Sequence, residues 1–447
     1  MDLCSIKETD TRNSRRAIGR NIVQNALKME SSSCRYDLSA IKKSLELAET
    51  LASVSLMTPP AARRRLQARS VELGYTVIPG QPYEPPRELL LYLVRMGSFT
   101  SSVKIDNEDS QDRDLNFDSQ ATSQQLLDYC RTHNDQCPHS QLIKRTFQTI
   151  PHDSASVQGD SVRVFQWNVL SQALGQNNDK FDCCPLEALE WKRRRCHMLE
   201  EIVRHNPDVI CLQEVDHFDF LSRALATQSY SGLFVPKPDS PCVYIKDNNG
   251  PDGCAIFYKN NRFDLLEKHD KILQVWTVHS NQVTLLLILK DKCTGQELCV
   301  TTTHLKARKG ALLSTLRNEQ GKDLLQFISS YAGDRPTIIC GDFNAEPTEP
   351  VYSTMCSCPD LPLDSAYKVS GLEPPYTSWK IRGGEGEVMH TIDYMFYSKN
   401  KLTVSSLLNM PIERDIGENR VPSMSYPSDH FSLVSDFYFN KISKDSE

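Results

Sequence analysis

At 447 residues the chain has ample length to bury a core, either as one large domain with a long extension or as two or three average domains. A formal net charge of -6 and a pI near 6.0 argue against a broad basic surface that grips nucleic acid by its phosphates, and so favour a compact substrate over a long duplex. No apolar run is long enough to span a bilayer and the N-terminus lacks an apolar signal core, which leads us to expect a monomeric cytoplasmic protein without a membrane span. The basic stretch from Arg12 to Lys28 follows Glu8 and Asp10, and leaves a mitochondrial fraction as the alternative. The 15 cysteines are odd in number and lack the repeated pairs of a zinc ribbon, so reduced thiols are expected.

Residues 1–155 show no regular alternation of strands and helices, and Ser101 to Asp135 is rich in Ser, Asp, Asn and Gln; a largely disordered extension is expected. Short helices over Tyr36 to Val54 and Pro86 to Met96 interrupt it, the second opening on prolines where a missing N–H costs little. The run Arg63-Arg64-Arg65 reads as a solvated charge cluster.

From residue 156 to about 440 dense apolar runs alternate with turns, and this is the expected folded domain, followed by a polar tail over 441–447. Val162 to Leu170 reads as a strand, Leu186 to His205 as a helix with Leu189, Cys196, Leu199 and Val203 inward, and Asp208 to Val215 as a second strand. The same order recurs in Leu298 to Leu305, Ser314 to Tyr331 and Pro336 to Phe343. Such crossovers join parallel strands and bring their C-terminal ends to one edge. The first unit delivers Asn168 and Glu214 there, the second His304 and Asp342. In Gly341-Asp342-Phe343-Asn344, glycine is expected to let the backbone turn, with Asp342 and Asn344 emerging on one face.

The C-terminal section adds Asp393, inside the strand-like segment Ile392 to Tyr397, and Ser428-Asp429-His430. A charge in an apolar strand is rarely buried alone, and His430 is the expected partner of Asp393. Together these groups supply hard oxygens and imidazoles but no reactive thiol or elbow-type serine. Hard oxygens suit Mg²⁺ or Mn²⁺, and phosphate ester hydrolysis needs such a cation, a carboxylate for the attacking water and a charged imidazole for the phosphoryl group.

Taken in order, Gln-Trp-Asn168, Leu-Gln-Glu214, Thr-His304-Leu, Gly-Asp342-Phe-Asn344, Ile-Asp393-Tyr and Ser-Asp429-His430 resemble the signature set of the endonuclease/exonuclease/phosphatase superfamily. Phe-Val-Pro-Lys237-Pro, Asn-Asn-Gly-Pro-Asp252-Gly, His304-Leu-Lys306-Ala-Arg308 and Ser-Trp-Lys-Ile-Arg382 are similar to its deadenylase-like branch. The resemblance implies an α/β four-layer sandwich, two packed mixed β-sheets flanked by helices. It further implies that Glu214 ligates Mg²⁺ with Asp429 supporting the metal side, that Asn168 and Asn344 hold phosphate and metal-bound water, and that Asp342 orients or activates the attacking water. His430, oriented by Asp393, and His304 would both contact the phosphoryl group. The implied reaction is removal of the 2′-phosphate from NADP(H), with Lys237, Lys306, Arg308 and Arg382 around the dinucleotide's phosphates, Arg being suited to bidentate contact. Lys306 and Arg308 follow His304 with period two, so one extended segment is expected to present all three to one face. Two other readings stand beside this one: a 3′-exoribonuclease acting on poly(A), and a non-catalytic adaptor in RNA decay.

Overall fold

The computed structural model describes residues 121–134, 141–177, 180–246 and 248–441 of the chain. The expected helices over Tyr36 to Val54 and Pro86 to Met96 lie outside the described residues, as do the arginine run and the polar tail after Lys441.

In chain order the elements are α1 (Ser123–Asn134), β1 (Phe147–Thr149), β2 (Val157–Asn168), α2 (Gln172–Asn177), α3 (Trp191–Val203), β3 (Val209–Val215), α4 (Phe218–Ala226), β4 (Tyr230–Pro236), β5 (Gly253–Lys259), β6 (Phe263–Val275) and β7 (Val278–Asp291). They continue with β8 (Glu297–His304), α5 (Ala311–Ala332), β9 (Thr337–Asp342), α6 (Pro350–Cys356), β10 (Leu363–Ser365), β11 (Ser378–Arg382), β12 (Gly386–His390), β13 (Asp393–Ser398), β14 (Leu402–Leu408), α7 (Glu413–Ile416) and β15 (Leu433–Asn440). One mixed sheet has the strand order β1-β14-β15-β2-β3-β5-β4 and the other β10-β13-β9-β8-β7-β6, while β11 and β12 form a separate hairpin.

The expected sandwich is observed. Val164, Cys211 and Ile256 of the first sheet meet Leu285, Val300, Ile338 and Met395 of the second in one apolar cluster. The first sheet's outer face packs through Phe165, Ile210 and Leu212 on Leu199, Ile202 and Leu221 of the helices. The second sheet's packs through Leu286, Ile339 and Phe396 on Leu324, Ile328 and Val351. Because both faces of each sheet are covered, the central strands read as near-continuous apolar runs and not as alternating ones.

Both strand-helix-strand units appear, the first with a shorter helix than expected: Leu186–Leu189 form a separate 3-10 turn, the backbone is extended at Glu190, and α3 starts at Trp191. β2 pairs parallel with β3 and β8 with β9, and the registers set Asn168 opposite Gln213 and His304 opposite Asp342. β13 runs antiparallel on β9 and sets Asp393 opposite Asp342.

The fold begins earlier than residue 156. α1 lies in the stretch expected to be disordered, with Leu126 and Cys130 buried against the α3 layer, and β1 adds an edge strand on β14. The apolar residues of α1, Leu126, Leu127, Tyr129 and Cys130, are confined to one short run in an otherwise polar stretch, too little to stand out as a helical stripe. All three β1 side chains are exposed, so its pairing rests on the backbone and leaves no hydrophobic pattern to read.

Candidate active site

The polar residues closing the four central strands converge. Asn168 ends β2, Glu214 is the penultimate residue of β3, and His304 and Asp342 end β8 and β9. The Asn168 side-chain oxygen accepts the Leu170 N–H at 3.0 Å, which turns its NH₂ toward Glu214 Oε1 at 3.1 Å and Asp342 Oδ2 at 2.9 Å. Its amide therefore bridges the two carboxylates. Glu214 Oε2 also accepts from the Ser171 N–H at 3.1 Å, and Asp342 Oδ1 from the Asn344 N–H at 2.9 Å. Glu214 and Asn344 both sit in the left-handed region, at φ 55° and φ 50°. Such backbone costs about 1–3 kcal/mol per residue and persists where the surroundings enforce it. Gly341 acts otherwise than expected: it lies inside β9, and a Cβ there would come 2.5 Å from the Thr303 carbonyl oxygen, so glycine serves close strand approach and not a turn.

The expected pair of Asp393 and His430 is present. His430 Nδ1 lies 2.8 Å from Asp393 Oδ2, an oxygen that also accepts the Thr377 hydroxyl at 2.7 Å. His430 Nε2 stands 3.8 Å from Asp342 Oδ2 and 3.8 Å from Asp429 Oδ2. Burial opposes charge on this imidazole, but Asp393, Asp429 and Asp342 outweigh it and raise His430 to about 9. Burial likewise lifts Asp342 to about 6, with Asp393 adding to the rise and His430 and Asn168 working against it. At neutral pH the pair is a carboxylate facing an imidazolium.

Two groups of cations flank this floor. In the first, Lys237 is buried and donates to Asp252 Oδ2 at 2.6 Å; burial works against its charge, but Asp252 and Glu214 hold it above the usual lysine value. Its Nζ lies 3.3 Å from His304 Nδ1. Burial, then Lys237, His430 and Lys306, push His304 well below the ordinary imidazole value, so the ring is neutral. Lys306 is pushed down to about 8 by burial and by neighbouring Arg308 and Lys237. The three residues His304, Lys306 and Arg308 do not share one strand face as expected. β8 ends at His304 and Arg308 has φ 87°, because Arg317 of α5 takes the Lys306 carbonyl at 3.1 Å and the Arg308 carbonyl at 2.7 Å and folds the segment back.

The second group belongs to the hairpin. Lys380 Nζ lies 2.5 Å from Asp429 Oδ2 and Arg382 Nη2 lies 3.4 Å from the same oxygen, while the Arg382 guanidinium stacks over Phe181 at 5.5 Å. Burial would raise Asp429, but Lys380, His430 and Arg382 hold it well below the usual carboxylate range.

Glu214, His304 and Asp342 each bring one ligand atom within 4.8 Å of the others. The His304 ring nitrogens face Lys237 and the Asn344 amide, so the carboxylates are the available donors, and such oxygens fit a hard divalent cation of the Mg²⁺ type. Asp429, expected on that side, faces the hairpin cations instead.

A model of the endonuclease/exonuclease/phosphatase family matches residues 165–430. Nocturnin of Drosophila melanogaster is 49% identical over 79% of this chain and 62% of its own length, so the chain spans under two thirds of that relative. Nocturnin of Homo sapiens is 47% identical over 71% of this chain and 74% of its own. The structure of the human nocturnin catalytic domain with bound sulfate anion matches at a TM-score of 0.55 and 41% identity, over 66% of this chain and 97% of that domain. The chain belongs to the nocturnin family.

In this nocturnin-family chain Asn168, Glu214, His304, Asp342, Asn344, Asp393 and His430 lie together at one sheet edge, Lys306 and Arg308 on the loop after β8, Lys237 just after β4, and Arg382 on the hairpin. Sequence reasoning missed others. Lys380 has a signal, standing two residues from Arg382 and two from Ser378 on one strand face. Arg194 has none: fully buried in α3, it donates to the carbonyls of Val169 at 2.7 Å, Leu170 at 2.5 Å and Pro427 at 2.7 Å, and to Gln172 Oε1 at 2.6 Å. It thereby ties the loop after Asn168 to the loop before Ser428. No helix among the described residues is long and apolar enough to cross a membrane, and the described cysteines are free thiols.

Proposed function

We propose that the protein is an Mg²⁺-dependent phosphatase that removes the 2′-phosphate of NADP⁺ and NADPH, giving NAD⁺ and NADH. The observation that supports this reading is the crowding of Lys237, Lys306 and Arg308 beside the catalytic floor, where burial and then repulsion from Arg308 and Lys237 lower Lys306 to about 8. An anion relieves that repulsion, and a dinucleotide carries a pyrophosphate in addition to its 2′-phosphate. Arg382 adds a further cation on the hairpin flank.

Glu214 and Asp342 would hold Mg²⁺, which would supply charge neutralisation at the phosphoryl oxygens. Asp342, ionised at neutral pH, orients the attacking water and takes its proton. His430, charged and aimed by Asp393, donates a hydrogen bond to the phosphoryl group as negative charge develops. Asn168 keeps the two acids in register, and neutral His304 with Asn344 completes the polar wall. The rate then needs Asp342 ionised and His430 protonated. The pH profile of kcat/KM is expected to rise through about 6, at lower pH with a cation beside the carboxylate, and to fall through about 9.

The test is phosphate release from NADPH, NADP⁺ and an oligo(A) strand in Mg²⁺, with Glu214→Ala as control. Release from the dinucleotides, lost in the control, supports the reading. Shortening of oligo(A) in its place overturns the substrate and moves the assignment to a poly(A) exoribonuclease.

A further inference from the structure

Ser378, Lys380 and Arg382 alternate along β11, so their side chains share one face. All three engage a single residue. The Ser378 hydroxyl donates to the Asp429 carbonyl at 2.7 Å, and Lys380 and Arg382 reach the Asp429 carboxylate at 2.5 Å and 3.4 Å. A bridge between Ser378 and His430 and a bond from the Phe431 N–H to the Thr377 carbonyl at 2.7 Å fasten the same stretch by its backbone. The far end is fixed where the Gly383 N–H donates to the Lys180 carbonyl at 2.8 Å and Arg382 lies over Phe181.

The oxygen at the centre of this arrangement, Asp429 Oδ2, is approached by Lys380, Arg382 and, at 3.8 Å, His430 Nε2. Three positive groups around one buried oxygen balance its charge and repel a divalent cation from it. The neighbouring acids Glu214 and Asp342 are instead joined by the neutral Asn168 amide, which leaves their charge for a cation.

We infer that Asp429 is not a metal ligand but the anionic peg on which hairpin β11–β12 is hung, and that Lys380 and Asp429 are positioning residues that set Arg382 against the substrate's phosphates. The inference deepens the phosphatase reading and rests on it for the substrate. Lys380 and Asp429 together form a neutral unit, so the face they offer a ligand is the guanidinium of Arg382. Its place is fixed from two sides, by Asp429 and by Phe181.

The experiment uses the full chain and two readouts: Mn²⁺ affinity measured without substrate by electron paramagnetic resonance, and KM and kcat on NADPH. Asp429→Asn is expected to leave the Mn²⁺ dissociation constant within about threefold of wild type while KM rises about tenfold or more, since lost ground-state positioning appears in KM. Lys380→Met is expected to do the same, and the double variant to raise KM no further than either single one, because the two act as a unit. The double variant also covers the case in which a single change leaves a buried charge unpaired and the protein unfolded, since replacing both partners removes that penalty. A tenfold or greater loss of Mn²⁺ affinity in Asp429→Asn or the double variant overturns the inference, as does an unchanged KM or additive effects. Should wild type fail to hydrolyse NADPH, the substrate reading falls, and the Mn²⁺ measurement still decides what Asp429 does.

Discussion

The units β2-α3-β3 and β8-α5-β9 share one plan down to a detail: each crossover helix sends a buried arginine to the carbonyls of the loop after its first strand. Arg194 takes those of Val169 and Leu170, and Arg317 those of Lys306 and Arg308. The two differ in how the charge is balanced. Arg317 has its own carboxylate, Glu349, at 2.7 Å. Arg194 bonds only neutral oxygens, and burial lowers it to about 10 against the through-space pull of Asp216, Asp429 and Glu214. The acids of the site therefore double as counter-ions for the first unit's brace, whereas the second unit's brace is self-contained. On the proposed function the first loop would align the reacting acids, and the second would carry the cations that hold substrate.

That contrast can be broken by mutation. The largest effect belongs to Asp342→Asn, which is expected to lower kcat by about 10²–10⁴-fold with little change in KM. Glu214→Gln should show itself first as a higher Mg²⁺ requirement, read from the rate as a function of Mg²⁺ concentration. Arg194→Met strands three buried carbonyls, at about 1–3 kcal/mol each when no water replaces the donor, and is expected to cost at least about 3 kcal/mol in denaturant unfolding and to depress kcat. Arg317→Met leaves two carbonyls on a less buried loop; about 1–2 kcal/mol and a raised KM for NADPH are expected. If the two arginine variants shift kcat and KM alike, the division of labour between the units is wrong.

The smallest expected effect concerns acid stability of the first unit's outer layer. Glu201 on α3 is fully buried; burial opposes its charge, but Arg204, His205 and Arg145 hold it well below the usual carboxylate range. In the unfolded chain this carboxyl takes up a proton near pH 4, whereas in the folded chain it does not, so the stability it contributes is present at neutral pH and lost as pH falls below about 4–5. Melting temperature followed from pH 7 down to 3 should drop in that window, and less steeply in Glu201→Gln.

How far the sequence disclosed all this varies with what each residue touches. Asn168, Glu214, His304 and Asp342 stood out because each interrupts or closes an apolar strand, and Asp393 because a lone acid in such a strand demands a partner. The sandwich followed from the same runs. Arg194 and Arg317 did not stand out, since a basic residue in an amphipathic helix looks the same whether it meets water or buried carbonyls. α3 makes the point most plainly: Leu199 packs in the sheet-facing cluster as its spacing suggests, yet Arg194 is buried against the carbonyls of Val169, Leu170 and Pro427, Glu201 against Tyr426 and Ser432, and Glu200 meets Arg131 of α1. The turn of Arg308 into the left-handed region was equally hidden, being imposed by an arginine from another element.

The early start of the fold bears on how a catalytic fragment should be cut. A fragment begun at residue 156, just ahead of the family-matched span 165–430, would lose Leu126 and Cys130 from the α3 cover and strip β1 from β14. The result would be a bare strand edge beside newly wetted apolar surface, the combination that invites sheet-to-sheet aggregation and nicking by proteases. A fragment begun at or before Ala121, whose carbonyl is still held by Gln228 at 2.9 Å, would keep that edge sealed.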